Sequence, residues 1–242
     1  MRTCAAPPFA TDSALQCDAR WRPHDLLRLR RLPAFDGEPE WVRAAFAGAP
    51  FAVVRRAQAA PGFIAIGVRG NGRAQRYGTW VESGDIEAAI APEDLAVSLP
   101  ADAERCALPA FALYAALRRE ARYLDALSWG PTGSAGFELV SGIPTVTVTS
   151  DLDLLVRTPR TLSRERAKQM LNELELHAQR AGIRVDVQLE TPAGGIALAE
   201  WAAGKPRVMA RDAQGPRLIA DPWGADATQA AHAAQPTLNA HA

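Results

Sequence analysis

The segment from Ser163 to Ala181 is the most strongly patterned stretch of the chain. Ala167, Met170, Leu171, Leu174 and Ala178 recur at helical spacing, Ser163 is placed to cap the start, and Gly182 is placed to stop the end. Strand-like runs flank it, Thr145 to Thr158 before and Arg184 to Thr191 after. A helix between two apolar strands makes this half of the chain mixed α/β. A second amphipathic helix is expected over Ala110 to Leu127. Beyond Thr191, Gly194-Gly195 reads as a turn, followed by a short helix to Ala203 and two strands, Arg207 to Arg211 and Arg217 to Ala220.

The first half has a different rhythm. Three short runs, Phe51 to Arg55, Phe63 to Val68 and Arg76 to Val81, are broken by Pro61-Gly62 and Gly70-Asn71-Gly72, which predicts antiparallel strands. Trp41 to Ala47 has the makings of a short helix, and Pro92 to Pro109 reads as a connection. The expected fold class is α+β, with a β-rich N-terminal domain over 21–100 and a mixed-sheet domain flanked by helices over 101–224. Residues 1–20 and 225–242 are expected to be disordered.

At 48% hydrophobic over 242 residues there is enough apolar material for a core in each half. The 27 basic and 27 acidic residues cancel, so no global field draws the protein to nucleic acid or anionic lipid, and phosphate binding has to come from local clusters. Of the 27 basic residues only Lys168 and Lys205 are lysines, so a lone arginine carries little information. Cys4, Cys17 and Cys106 follow no metal-ligand spacing and suit a reducing compartment. No apolar run is long enough for a membrane span, and a cytoplasmic protein is expected.

The chemistry concentrates between residues 133 and 190. Gly133-Ser134 is a turn leading into a short helix, and Asp151-Leu152-Asp153-Leu154-Leu155-Val156 is an acidic strand. On a strand, alternate side chains share a face, so Leu152 and Leu154 bury while Asp151 and Asp153 converge. Two such carboxylates suit magnesium, an oxygen-seeking ion that retains waters and substrate phosphates. Paired ions then serve the entering and leaving oxygens of a phosphoryl displacement.

The strand Val185 to Glu190 offers a third carboxylate, Asp186 or its competitor Glu190, either to accept a proton or to complete the metal shell. Gly133 and Ser134 are placed to meet a polyphosphate at a helix N-terminus. Arg69, Arg73 and Arg76 cluster around glycines, where backbone can approach a phosphate ligand. Arg55 and Arg56 read either as further phosphate ligands or as a solvated face, and His24 as a capping or packing residue.

Gly-Ser on a turn followed by Asp-x-Asp on a strand resembles the DNA polymerase β-like nucleotidyltransferase superfamily, though the sixteen residues between Ser134 and Asp151 make a long connection for it. A wider set is similar to the phosphoribosyl-dephospho-CoA transferases of the malonate decarboxylase system. It comprises His24-Asp25-Leu26-Leu27, Pro50, Val53-Val54-Arg55-Arg56, Gly67-Val68-Arg69-Gly70 with Arg73 and Gln75-Arg76, Gly133-Ser134-Ala135-Gly136-Phe137-Glu138, Ser150-Asp151-Leu152-Asp153-Leu154-Leu155 and Asp221-Pro222-Trp223.

That resemblance implies that a serine of the apo acyl-carrier subunit of malonate decarboxylase attacks triphosphoribosyl-dephospho-CoA and releases pyrophosphate. It also implies Mg2+, two ions with Mn2+ as a substitute, on Asp151 and Asp153. Transfer of a nucleotide from a nucleoside triphosphate, a silent carrier-binding module and a carrier of the citrate lyase type stay open on the residues alone.

Overall fold

A computed structural model describes residues 3–4, 20–72 and 74–224. Among these, two six-stranded mixed sheets form an α+β structure whose N-terminal part is rich in strands. The first sheet holds β1 (Thr3–Cys4), β2 (Leu26–Leu29), β3 (Phe51–Val54), β4 (Phe63–Arg69), β5 (Arg76–Glu82) and β6 (Ile86–Ile90), in the order β1-β5-β4-β3-β2-β6. Its pairings are antiparallel except for β1 with β5. Helix α1 (Trp41–Gly48) forms where expected, and β1, β2 and β6 are additions to the three expected strands.

The second sheet holds β7 (Ser128–Pro131), β8 (Leu152–Arg157), β9 (Val185–Thr191), β10 (Gly194–Ala197), β11 (Val208–Asp212) and β12 (Gly215–Ile219), in chain order across the sheet. Its helices are α2 (Ala103–Cys106), α3 (Pro109–Glu120), α4 (Gly133–Ser141), α5 (Arg164–Ala181) and α6 (Leu198–Ala202). Helix α5 has the expected ends: Ser163 Oγ accepts the Arg166 N–H at 3.2 Å, and Gly182 closes the helix in the left-handed region at φ 69°. It joins β8 to β9, which pair in parallel.

Four expectations are corrected. Helix α3 stops at Glu120, because Ala121 leaves helical geometry at ψ 65°, and a 3-10 turn over Arg122–Leu124 completes the segment. The connection after Pro92 is itself partly helical, with a 3-10 turn over Pro92–Val97 followed by α2. Gly194 and Gly195 lie on β10, with the turn at Pro192-Ala193. Gly194 sits at φ 105° against the Arg211 carbonyl, and a Cβ on Gly195 would come within 2.6 Å of Arg56 Nη2.

The fourth correction concerns the run 145–158, which is strand only from Leu152. Ahead of it the chain is captured by Glu138, which is 6% exposed and accepts the backbone N–H groups of Thr145 and Val146, both at 2.7 Å. Arg105 grips the same carboxylate through two nitrogens at 2.8 Å and also donates to the Val146 carbonyl. The β-branched residues of this loop satisfied a strand pattern, but their backbone partners are a side chain rather than a neighbouring strand. The two end segments expected to be disordered lie outside the described residues, apart from 3–4 and Arg20.

Candidate active site

Each sheet has its own apolar core, and a third cluster joins them. In that seam Phe137 of α4 packs with Leu26 and Ala49 of the first half, while the Arg69 guanidinium stands 5.9 Å from the Phe137 ring centre. Beside this seam a cleft of about 1210 Å³ opens between the sheets. Both sheets contribute side chains to it, which neither half of the chain could supply alone.

On the second sheet, β8 and β9 run in parallel with Asp153 directly opposite Asp186. Neighbouring strands lie about 4.8 Å apart, so the two carboxylates share one face at one level. Both line the cleft. Leu152 and Leu154 turn the other way and are buried, as alternation requires, and along β9 the same holds for Val187 and Leu189. Glu190 lies four residues further along β9, about 13 Å from Asp186. It is ion-paired to Arg56 rather than directed at the other acids.

Gly133 sits at φ 59°, and a Cβ there would fall on Asp153 Oδ2. The Thr132 N–H donates to the Asp153 carbonyl at 2.9 Å, so the start of α4 is stitched to the acidic strand. Helix α4 begins at Gly133 itself, which places Gly133 and Ser134 in its first turn, where free backbone N–H groups and the helix dipole favour an anion. Thr145 Oγ1 donates to the Ser134 carbonyl at 2.9 Å and ties that turn to the loop ahead of Asp151.

Asp151 lies one residue before β8 rather than on it, and its carboxylate is held by Arg184. The sequence pattern did not single out Arg184. Its position two residues ahead of Asp186, in Arg-Val-Asp at the start of a strand, was the available signal. Asp151, Asp153 and Asp186 offer only oxygen donors, which fits magnesium. Among the described residues no three His, Cys, Asp or Glu side chains are already gathered as a metal shell.

The opposite wall comes from the first sheet. Arg69 and Arg76 are partners across β4 and β5, with Gly67 opposite Gly78 two residues on. Gly67 and Gly78 line the cleft beside the two guanidiniums, and Arg55 lies on the same wall with its side chain packed against the Gly67 backbone. Arg73 lies outside the described residues.

Arg56 is not on a solvated face: it is 14% exposed, pairs with Glu190, and places Nη1 3.0 Å from His24 Nε2. The Gln188 amide completes this group with its oxygen turned toward Arg56. Burial, then the nearby Arg56 and Arg157 cations, push His24 down to about 3, which leaves it a neutral packing group. Next to it, Arg157 of β8 binds Asp25 at 2.9 Å and Glu93 at 2.7 Å.

Comparison with known proteins assigns this architecture to the transferases. Residues 95–222 match the family model of the C-terminal domain of the phosphoribosyl-dephospho-CoA transferase MdcG, and residues 22–92 match that of its N-terminal domain. A protein of Pseudomonas putida (strain W619) named phosphoribosyl-dephospho-CoA transferase is 43% identical over 205 residues, covering 84% of this chain and 95% of its own length. One of the same name from Pseudomonas aeruginosa is 45% identical over 203 residues, covering 83% and 93%. Another from Azotobacter vinelandii is 40% identical, covering 84% and 94%. The chain belongs to the phosphoribosyl-dephospho-CoA transferase family. No solved structure matches it.

Proposed function

We propose that this cleft transfers the phosphoribosyl-dephospho-CoA group from triphosphoribosyl-dephospho-CoA to a serine of the apo acyl-carrier subunit of malonate decarboxylase. The serine oxygen forms a bond to the α-phosphorus, the bond from that phosphorus to the pyrophosphate oxygen breaks, and pyrophosphate leaves. The observation that carries the reading is the pairing of Asp153 with Asp186 on one sheet, across a single cleft from Arg55, Arg69 and Arg76 on the other. Carboxylates for a metal and guanidiniums for phosphates are the parts that phosphoryl displacement needs.

Asp151 and Asp153 would hold magnesium, which when bound offsets the charge that builds on the polyphosphate. Asp186 is exposed at the cleft and accepts the proton of the incoming serine hydroxyl. The first turn of α4 receives the departing pyrophosphate at Gly133 and Ser134, and Arg69 and Arg76 hold the remaining phosphates. Gly133 lacks the side chain that would displace the Asp153 carboxylate, so the anion site and the acid site abut.

The test is the intact mass of the apo acyl-carrier subunit after incubation with the protein, magnesium and triphosphoribosyl-dephospho-CoA. A metal-dependent gain equal to phosphoribosyl-dephospho-CoA is expected. No gain on a carrier shown competent by another route would overturn the assignment, and a gain from a nucleoside triphosphate instead would replace it with nucleotide transfer.

A further inference from the structure

Arg184 stands immediately before β9, and its carbonyl accepts the Leu152 N–H at 3.1 Å, so its backbone is fixed to the start of the acidic strand. From there the side chain reaches Asp151, with Nη2 on Oδ2 and Nε 3.4 Å from Oδ1. The guanidinium is therefore the hydrogen-bonded counter-ion of Asp151. Its side chain is nevertheless 75% exposed. Asp151 is 19% exposed, but the guanidinium end of the pair is open to water, where ion pairs are weak, so it can leave at small cost.

Arg184 lines the cleft, whereas Asp151 does not. The acid expected to bind the ion is thus paired, and its partner is an exposed cation.

We propose that Arg184 and a divalent cation compete for Asp151: the guanidinium neutralises this acid in the ion-free site and gives it up when the ion binds. The inference rests on the reading of Asp151 and Asp153 as the metal ligands. In the ion-free site the pairing spares the two neighbouring carboxylates their mutual repulsion. On ion binding it delivers a free guanidinium to the mouth of a cleft that takes phosphates.

Mn2+ affinity, measured by electron paramagnetic resonance on the full chain without nucleotide, provides the test. Four proteins form the cycle, wild type, Arg184→Gln, Asp151→Asn and the double variant, with Arg184→Lys as a fifth. Arg184→Gln is expected to tighten Mn2+ about threefold to fivefold, the modest effect of removing an exposed competing cation. Arg184→Lys, which keeps the charge but not the two-pronged grip, should fall between it and wild type.

In the Asp151→Asn background the Arg184 change should have no effect, because the competition runs through Asp151. Equal tightening in both backgrounds would reduce Arg184 to a general field effect and overturn the proposal. Unchanged affinity in Arg184→Gln would also overturn it while leaving the metal reading intact. Failure of all four proteins to bind Mn2+ would remove both.

Discussion

Gly133 is the residue at which the site tolerates least. Its φ of 59° is one that only glycine adopts freely, and a Cβ there would come within 2.0 Å of Asp153 Oδ2. Gly133→Ala should lose about 1–2 kcal/mol of stability from the left-handed backbone. Displacing Asp153 should also cost at least about a hundredfold in transfer, since misplacement by an ångström is enough for that. Thermal melting and carrier mass labelling, measured side by side, separate the two losses. Asp153→Asn keeps shape and removes charge, so it should melt near wild type and lose roughly three orders of magnitude of transfer. Asp153→Asn with unimpaired transfer would remove the acid pair from the mechanism.

At the scale of elements, the two sheets are joined by polar side chains as well as by the Phe137 seam. Arg157 is 10% exposed and Asp25 5%, and removing one partner of a buried pair leaves the other charge uncompensated. Arg157→Ala should therefore cost about 3 kcal/mol, a fall of roughly 10 °C in melting temperature for a chain of this size. Adding Asp25→Asn should restore part of it.

His24 adds a pH dependence. Its folded value of about 3 lies below the ordinary 6.5, so the unfolded chain binds the proton and stability falls as pH drops below 6.5. At pH 5 the loss from this group is about 2 kcal/mol, and it should be absent in His24→Asn. Burial raises Asp25 and Glu190, which act in the opposite sense, so the comparison with His24→Asn isolates the histidine.

These contacts were hidden from sequence reading because Arg157 and Asp25 are 132 positions apart and Arg56 and Glu190 134. Helix α5, by contrast, was legible to the residue because both of its caps are local.

Across the whole molecule, the working surface is assembled from two halves that each fold around their own core. Pyrophosphate with magnesium should bridge them and stabilise the fold by about 2.7 kcal/mol at a hundredfold excess over its dissociation constant, read as a higher melting temperature. An Arg69→Ala/Arg76→Ala protein should lose most of that gain, measured against its own unliganded melting point because Arg69 also packs on Phe137. The acid strand, the Gly-Ser start of α4 and the arginines around glycines were visible in the sequence because each depends on near neighbours. The parallel register that sets Asp153 opposite Asp186 was not, because α5 separates the two strands and pairing leaves no mark on either.

The second sheet has a further consequence for synthesis. Its strands lie in the order in which they are made, so as the chain leaves the ribosome each new strand finds its predecessor already in place. The first sheet must instead wait for β6 to return to β2. Asp153 stays without its neighbour until α5 has emerged and β9 has docked, and His24, among the first described residues to appear, waits for the same strand. The nascent chain thus lacks one wall of the cleft until β9 has docked, when a single step supplies both the Asp153–Asp186 pair and the contacts of Gln188 and Glu190 with His24 and Arg56.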